Sequence, residues 1–163
     1  MIYYLITAVL VLLDQVSKWY MSNILPLCEP GRCVSIEILP VFKFTVLHNT
    51  GAAFSFLDDA GGWQRWFLMV VSGSVSVGIA IWMVQIRHTQ KLMAFALAFI
   101  LGGALGNLID RVLQGYVVDF IVVYYHPHYF PAFNIADSAI TIGAGIIILD
   151  MLLSYKSRAE TSE

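Results

Sequence analysis

Leu-Met-Ala-Phe-Ala-Leu-Ala-Phe-Ile-Leu-Gly-Gly-Ala-Leu-Gly-Asn-Leu-Ile-Asp-Arg, residues 92 to 111, decides the solvent of this chain. From Leu92 to Ile109 there is no ionisable side chain, and then Asp110 and Arg111 arrive together. An uncharged apolar run of that length matches the roughly 20 residues that a helix needs to cross a hydrocarbon core. The composition agrees: 59% of the 163 residues are hydrophobic, 12% are charged and mean hydropathy is +0.77, which does not suit a water-facing surface. So few charges, with a net of −2, exclude a disordered chain and a nucleic-acid-binding surface. Four spanning helices occupy about half the length and leave one modest water-facing region. A multidomain architecture is excluded.

Working outward, three more apolar segments are expected to span, giving helices over 3–21, 66–83, 92–109 and 134–153 in a single-domain, all-α membrane protein. Tyr3 and Tyr4 at one end of the first, with Trp19 and Tyr20 at the other, form an interfacial aromatic belt. The run from Ile2 to Leu13 lacks the basic region and small-residue cleavage site of a secretory signal, so it is read as a retained helix. Orientation follows from Lys and Arg in short loops. Arg87 and Lys91 between helices two and three, with Lys156 and Arg158 in the tail, put both termini and the 85–91 loop in the cytoplasm. The regions 22–65 and 110–133 then face outward.

Only region 22–65 reads as ordinary water-facing structure. Val34, Ile36 and Ile38 alternate with Ser35 and Glu37, and Phe42, Phe44 and Val46 with Lys43 and Thr45. This period of two predicts two short strands separated by Pro40, each with one apolar face. So small a sheet is not stable alone, and its apolar face is expected on the helices or the bilayer surface. Cys28 and Cys33 flank a Glu-Pro-Gly-Arg turn on the oxidising side, where a disulfide is permitted; two unpaired thiols fit as well.

An acid at the centre of a spanning helix is disfavoured by roughly 2.5 to 3.5 kcal/mol on insertion scales, and by less near the ends. Depth is therefore informative. Asp14 lies in the outer half of helix one, Asp110 at the outer end of helix three, Asp137 in the first outer turn of helix four, and Asp119 in the connection before it. Asn49, Asn107, Arg111 and Asn134 reach the same level. Several of these have structural explanations. Asp14 and Lys18 are spaced i, i+4 with the acid first, a favourable helical pair, and Asn107 shares a helix face with Asp110. Arg111 could simply snorkel to the interface, while Gly102 and Gly106 form a small-xxx-small pair for close helix approach. His126 and His128 bracket Pro127 with no cysteine or carboxylate cluster of metal-ligand spacing nearby, so no metal site is expected there.

Asp119 and Asp137 stand apart. Asn134 with Asp137 three residues on resembles a capping box, which sets the carboxylate against the positive end of helix four and favours its ionised form. Asp119 sits between Val117-Val118 and Phe120-Ile121-Val122-Val123, an apolar setting that favours the protonated form. Two carboxyls with opposed preferences suit acid/base hydrolysis, in which one takes a proton from water and the other gives one to a carbonyl.

Five blocks, Asp-Gln-Val-Ser-Lys (14 to 18), Asn-Thr-Gly-Ala-Ala-Phe-Ser (49 to 55), Gly-Gly-Ala-Leu-Gly-Asn-Leu-Ile-Asp-Arg (102 to 111), Val-Val-Asp-Phe (117 to 120) and Phe-Asn-Ile-Ala-Asp-Ser (133 to 138), resemble bacterial lipoprotein signal peptidase, signal peptidase II, along the whole chain. The resemblance implies an aspartic endopeptidase of the bacterial inner membrane, with four transmembrane helices, a small extracytoplasmic β-sheet and no metal or other cofactor; a monomer is expected, though the sequence does not fix the oligomeric state. Its substrates would be diacylglyceryl prolipoproteins, cut just before the lipid-modified cysteine, and globomycin would inhibit it. Asp119 and Asp137 match the catalytic pair; Asn49, Asn107 and Arg111 match substrate-binding positions; Asp14, Lys18, Asp110 and Asn134 match supporting polar positions. Partners would be substrate and membrane lipid, not nucleic acid. The rival from another class is a small four-helix proton-coupled exporter, which needs an ionisable site near the midplane reachable from both sides. Only Asp14 is a candidate for that. A non-enzymatic scaffold gives no reason for two carboxylates, an arginine and three asparagines at one depth.

Overall fold

The computed structural model describes residues 1–51 and 63–161, with side chains as far as Tyr155. Ala52 to Ser55 of the second motif block, the remainder of that outer stretch to Gly62, and the side chains of Lys156 and Arg158 lie outside the described residues. In chain order the elements are α1 (Ile2–Ile24), β1 (Ile36–Leu39), β2 (Phe42–Asn49), α2 (Trp63–Ile86), α3 (Lys91–Leu113), β3 (Val117–Tyr125), β4 (His128–Tyr129) and α4 (Ile135–Thr161). All four helices are long and apolar enough to cross a membrane. They overrun the expected spans: α3 continues through Asp110 and Arg111 to Leu113, and α4, which begins one residue later than expected, runs on to Thr161. Hydropathy registers only the apolar part of a helix, and these polar turns are held by other elements.

α3 is the central helix: 50% of its span is buried, against 11–17% in the other three. Its glycines explain why neighbours come so close. Gly102 faces Leu10 and Gly106 faces Asp14 of α1, the approach that their four-residue spacing predicts. A methyl on Gly106 would lie 2.6 Å from Asp14 Oδ2, and one on Gly103 would collide with the Ala136 carbonyl of α4. Towards the α2–α3 turn, Met83 and Ile86 of α2 pack on Ala94, Leu97, Ala98 and Leu101. Towards the opposite end, Arg65 of α2 donates from Nε to the Arg111 carbonyl (3.0 Å) and from Nη2 to the Val112 carbonyl (3.1 Å). It thereby satisfies carbonyls that the end of α3 leaves free.

The sheet has the order β1-β2-β3-β4, antiparallel throughout. Strands β1 and β2 fall where alternation predicts them. The reading of 110–133 as a plain connection is corrected, because β3 is the longest strand, pairing Leu47 with Asp119 and Asn49 with Val117. Val118 and Phe120 on one face of β3 pack with Val46 against Met21 and Leu25 at the end of α1, so this part of the apolar face does rest on a helix. Asp119 points the other way. Cys28 and Cys33 are joined by a disulfide around a turn in which Gly31 takes φ +83°, and the Cys28 N–H donates to the Val46 carbonyl at 2.8 Å. The clipped loop thus lies along the edge of β2.

Candidate active site

Four elements deliver the polar residues to one level: the C-terminal end of α3, the end of strand β2, strand β3 and the first turn of α4. Asn134 caps α4. Its Oδ1 accepts the Asp137 N–H (2.9 Å) and its own N–H donates to Asp137 Oδ2 (3.2 Å), the reciprocal box that the spacing predicts. Its Nδ2 also donates to Asp119 Oδ1 at 2.7 Å, so one residue links the two carboxyls. The second oxygen of each carboxyl is bound too. Asp119 Oδ2 accepts from Asn49 Nδ2 (2.9 Å), and Asp137 Oδ1 from Asn107 Nδ2 (2.8 Å).

Asp119 is buried, 3% exposed, and its carboxyl is pushed up to about 7. Burial is the main cause and the nearby charge of Asp137 adds to it, while donation from Asn49 and Asn134 and the charge of Lys18 oppose it. The apolar setting read from its neighbours in sequence therefore acts in the expected direction.

Arg111 does not snorkel. It is 8% exposed, with Nη2 donating to the Gly51 carbonyl (2.9 Å) and Nη1 to the Asn107 carbonyl (3.4 Å), while Nε is buried with no acceptor among the described residues. Asp14 and Lys18 do pair, at 2.7 Å, but the pair is part of a larger cluster. Lys18 also meets Asp110 Oδ2 (2.9 Å) and Asn107 Oδ1 (2.9 Å), while Asp14 Oδ1 accepts the Ala136 N–H (2.9 Å). The cluster ties α1 to α3 and α4, and reaches Asp137 through Asn107. Removing one partner of so deeply buried a pair leaves an uncompensated charge. His126 is not in this group; its ring packs edge-on against Tyr124 and Tyr129.

A cavity of about 640 Å³ opens beside these groups. Asn49, Asn107, Arg111 and Asp137 form its polar end, Leu68, Val71 and Val75 of α2 with Ile140 of α4 its apolar walls, and Phe130 to Phe133 another part of its rim. Asp137 lines it directly, whereas Asp119 meets its edge through Asn49. Sequence reasoning missed four contributors. Gly51 offers its backbone carbonyl, which no side-chain pattern reveals. Gln15, one position past Asp14, donates to Asp110 Oδ1 (2.9 Å). Phe130 lies in a stretch left without a role and Phe133 opens the last motif block without one; their large apolar side chains on either side of Pro131 and Ala132 were the available signal.

The family model described as Signal peptidase (SPase) II matches residues 6–153. The chain belongs to the signal peptidase II family. Among its relatives, the lipoprotein signal peptidase of Alteromonas mediterranea is 49% identical, the match covering 95% of this chain and 82% of the relative. That of Shewanella pealeana is 50% identical over 94% of this chain and 88% of the relative. A solved bacterial membrane enzyme superposes with a TM-score of 0.76 at 33% identity, covering 95% of this chain and 90% of that one. The protein is thus a multi-pass membrane enzyme, a signal peptidase II with four helices and a small antiparallel sheet, as its motifs imply.

Proposed function

We propose that this peptidase removes signal peptides from prolipoproteins by an aspartic mechanism, cutting on the N-terminal side of the diacylglyceryl-modified cysteine. The observation that carries the reading is the joining of Asp119 and Asp137 through Asn134 at the polar end of an apolar cavity. In this reading a water between the two carboxyls loses its proton to Asp137 and attacks the scissile carbonyl. Protonated Asp119 donates to the carbonyl oxygen, and the pair titrates as a coupled unit. Arg111, whose Nε has no acceptor among the described residues, holds a substrate carbonyl, and Asn49 and Asn107 line the same path. The walls from α2 and α4 receive the apolar signal segment and the acyl chains. No metal or other cofactor takes part, and the working unit is a monomer.

The site is assigned to the outer leaflet of the bacterial inner membrane, with both termini in the cytoplasm. The disulfide supports this side, since such bonds persist in oxidising compartments. The exporter reading has no support from Asp14, which is completely buried and held by Lys18 and by the backbone of α4. Incubating the purified protein with a diacylglyceryl prolipoprotein and determining the mass of the new N-terminus tests the proposal. A product starting at the lipidated cysteine is expected; a cut elsewhere, or none, overturns it.

A further inference from the structure

We infer that Lys18 is a positioning residue for the Asp119–Asp137 dyad, acting by holding the Asn107 amide one way round. The inference rests on the dyad reading above. An amide side chain can turn either its oxygen or its NH2 group to a neighbour, and its other partners decide which. Three amides meet the dyad. Asn49 Oδ1 accepts the Gly51 N–H (3.0 Å), which leaves Nδ2 for Asp119. Asn134 Oδ1 accepts the Asp137 N–H (2.9 Å), which leaves Nδ2 for Asp119 as well. Asn107 Oδ1 accepts from Lys18 Nζ (2.9 Å), which leaves Nδ2 for Asp137. In each case the group on the oxygen can only donate, so turning the amide over would set donor against donor. Asp137 Oδ2 faces the Asn134 N–H, and so all four carboxyl oxygens meet N–H groups. Such a wall stabilises negative charge and accepts no proton. The proton that the dyad carries can be shared only towards the cavity, with water, with substrate or with the other carboxyl.

Two of these three locks are backbone N–H groups. Lys18 is the exception: a side chain, from a different helix, whose remaining protons are taken by Asp14 and Asp110. Asn134 Nδ2 also reaches Asn107 Oδ1, but at 3.2 Å and shared with the shorter bond to Asp119, so it is the weaker hold. Asp137 meets the charges of Arg111 from α3 and Asp119 from β3, with Lys18 of α1 acting through Asn107.

Lys18→Met alone strands Asp14 and Asp110, so the deciding variant is Lys18→Met with Asp14→Asn, which removes one charge of each sign. With a diacylglyceryl prolipoprotein as substrate, kcat should fall about tenfold or more, KM should hold, and the acid limb of the kcat profile should move to higher pH. The reason is that Asn107 becomes free to turn its oxygen on Asp137. Asp14→Asn alone leaves Lys18 on Asn107 and should keep the wild-type acid limb whatever its rate. Asn107→Asp gives a second route if the pair does not fold. It keeps an oxygen for Lys18 but has no N–H for Asp137, and its acid limb should rise by roughly 1 pH unit or more. A wild-type acid limb in either folded variant overturns the inference, as does an equal movement in Asp14→Asn alone. Failure of the dyad reading would look different, as turnover by folded Asp137→Asn.

Discussion

Burial holds the Asp119 carboxyl at about 7, so in the proposed mechanism the proton that it gives the substrate is present below that pH and lost above it. The basic limb of kcat/KM should therefore fall as pH rises through about 7. Asn49 donates to Asp119 and lowers that value, so in Asn49→Leu the limb should move to higher pH; a limb that stays put would separate Asp119 from the titration. Asp119→Asn and Asp137→Asn should each stay folded and lose turnover by roughly 10²-fold or more, because an amide neither takes the water proton nor returns it. Near-wild-type turnover by either would sink the mechanism. At Arg111, Lys keeps the charge but loses the planar fork, so Arg111→Lys should weaken substrate binding by about 1.5 to 3 kcal/mol, the range for a hydrogen bond to a charged group. Wild-type affinity and kcat together would return the residue to a structural role. The identity of these residues was legible in the sequence, since acids, amides and an arginine among apolar neighbours stand out. Their pairings were not, because which oxygen each amide meets depends on β2, β3, α3 and α4 arriving together, and the Gly51 carbonyl has no side-chain signature.

Elements differ in how openly sequence declares them. The four helices are legible because a bilayer demands long apolar runs, and β1 and β2 because one wet face imposes alternation. β3 was not, for a physical reason: Val117, Val118, Asp119 and Phe120 are all buried, with one face on the end of α1 and the other towards the dyad, and a doubly buried strand loses its period of two. The disulfide was open in the sequence; position alone permitted it, and the turn geometry around Gly31 closes it. Helix contact at Gly106 yields a test at this scale. A β-carbon there would lie 2.6 Å from Asp14 Oδ2 and 3.2 Å from Ala136 Cβ, and the carboxylate has little room to yield while Lys18 and the Ala136 N–H hold it. Gly106→Ala should destabilise the protein by about 1 to 3 kcal/mol, as overpacking of a tight core does, read as a lower unfolding temperature in detergent. Unchanged stability would mean that α1 and α3 can part without loss.

The orientation proposed for the whole molecule rests on charge, redox and chemistry acting on the same axis. Arg87 and Lys91 mark the inner end of α2 and α3, whereas the dyad, the sheet and the disulfide all lie at the opposite end. Agreement of the three is what makes a single arrangement testable. Both native cysteines are consumed in the disulfide, so a cysteine introduced at His88, exposed between α2 and α3, or at Glu37, exposed on β1, would be the sole free thiol. In intact cells a membrane-impermeant thiol reagent should label Glu37→Cys and spare His88→Cys until the membrane is permeabilised. The reverse pattern would put the disulfide in a reducing compartment and the dyad on the side where no exported, lipid-modified precursor presents its cysteine. Orientation and substrate would then have to be given up together, since an active site at that depth can serve only the leaflet it faces.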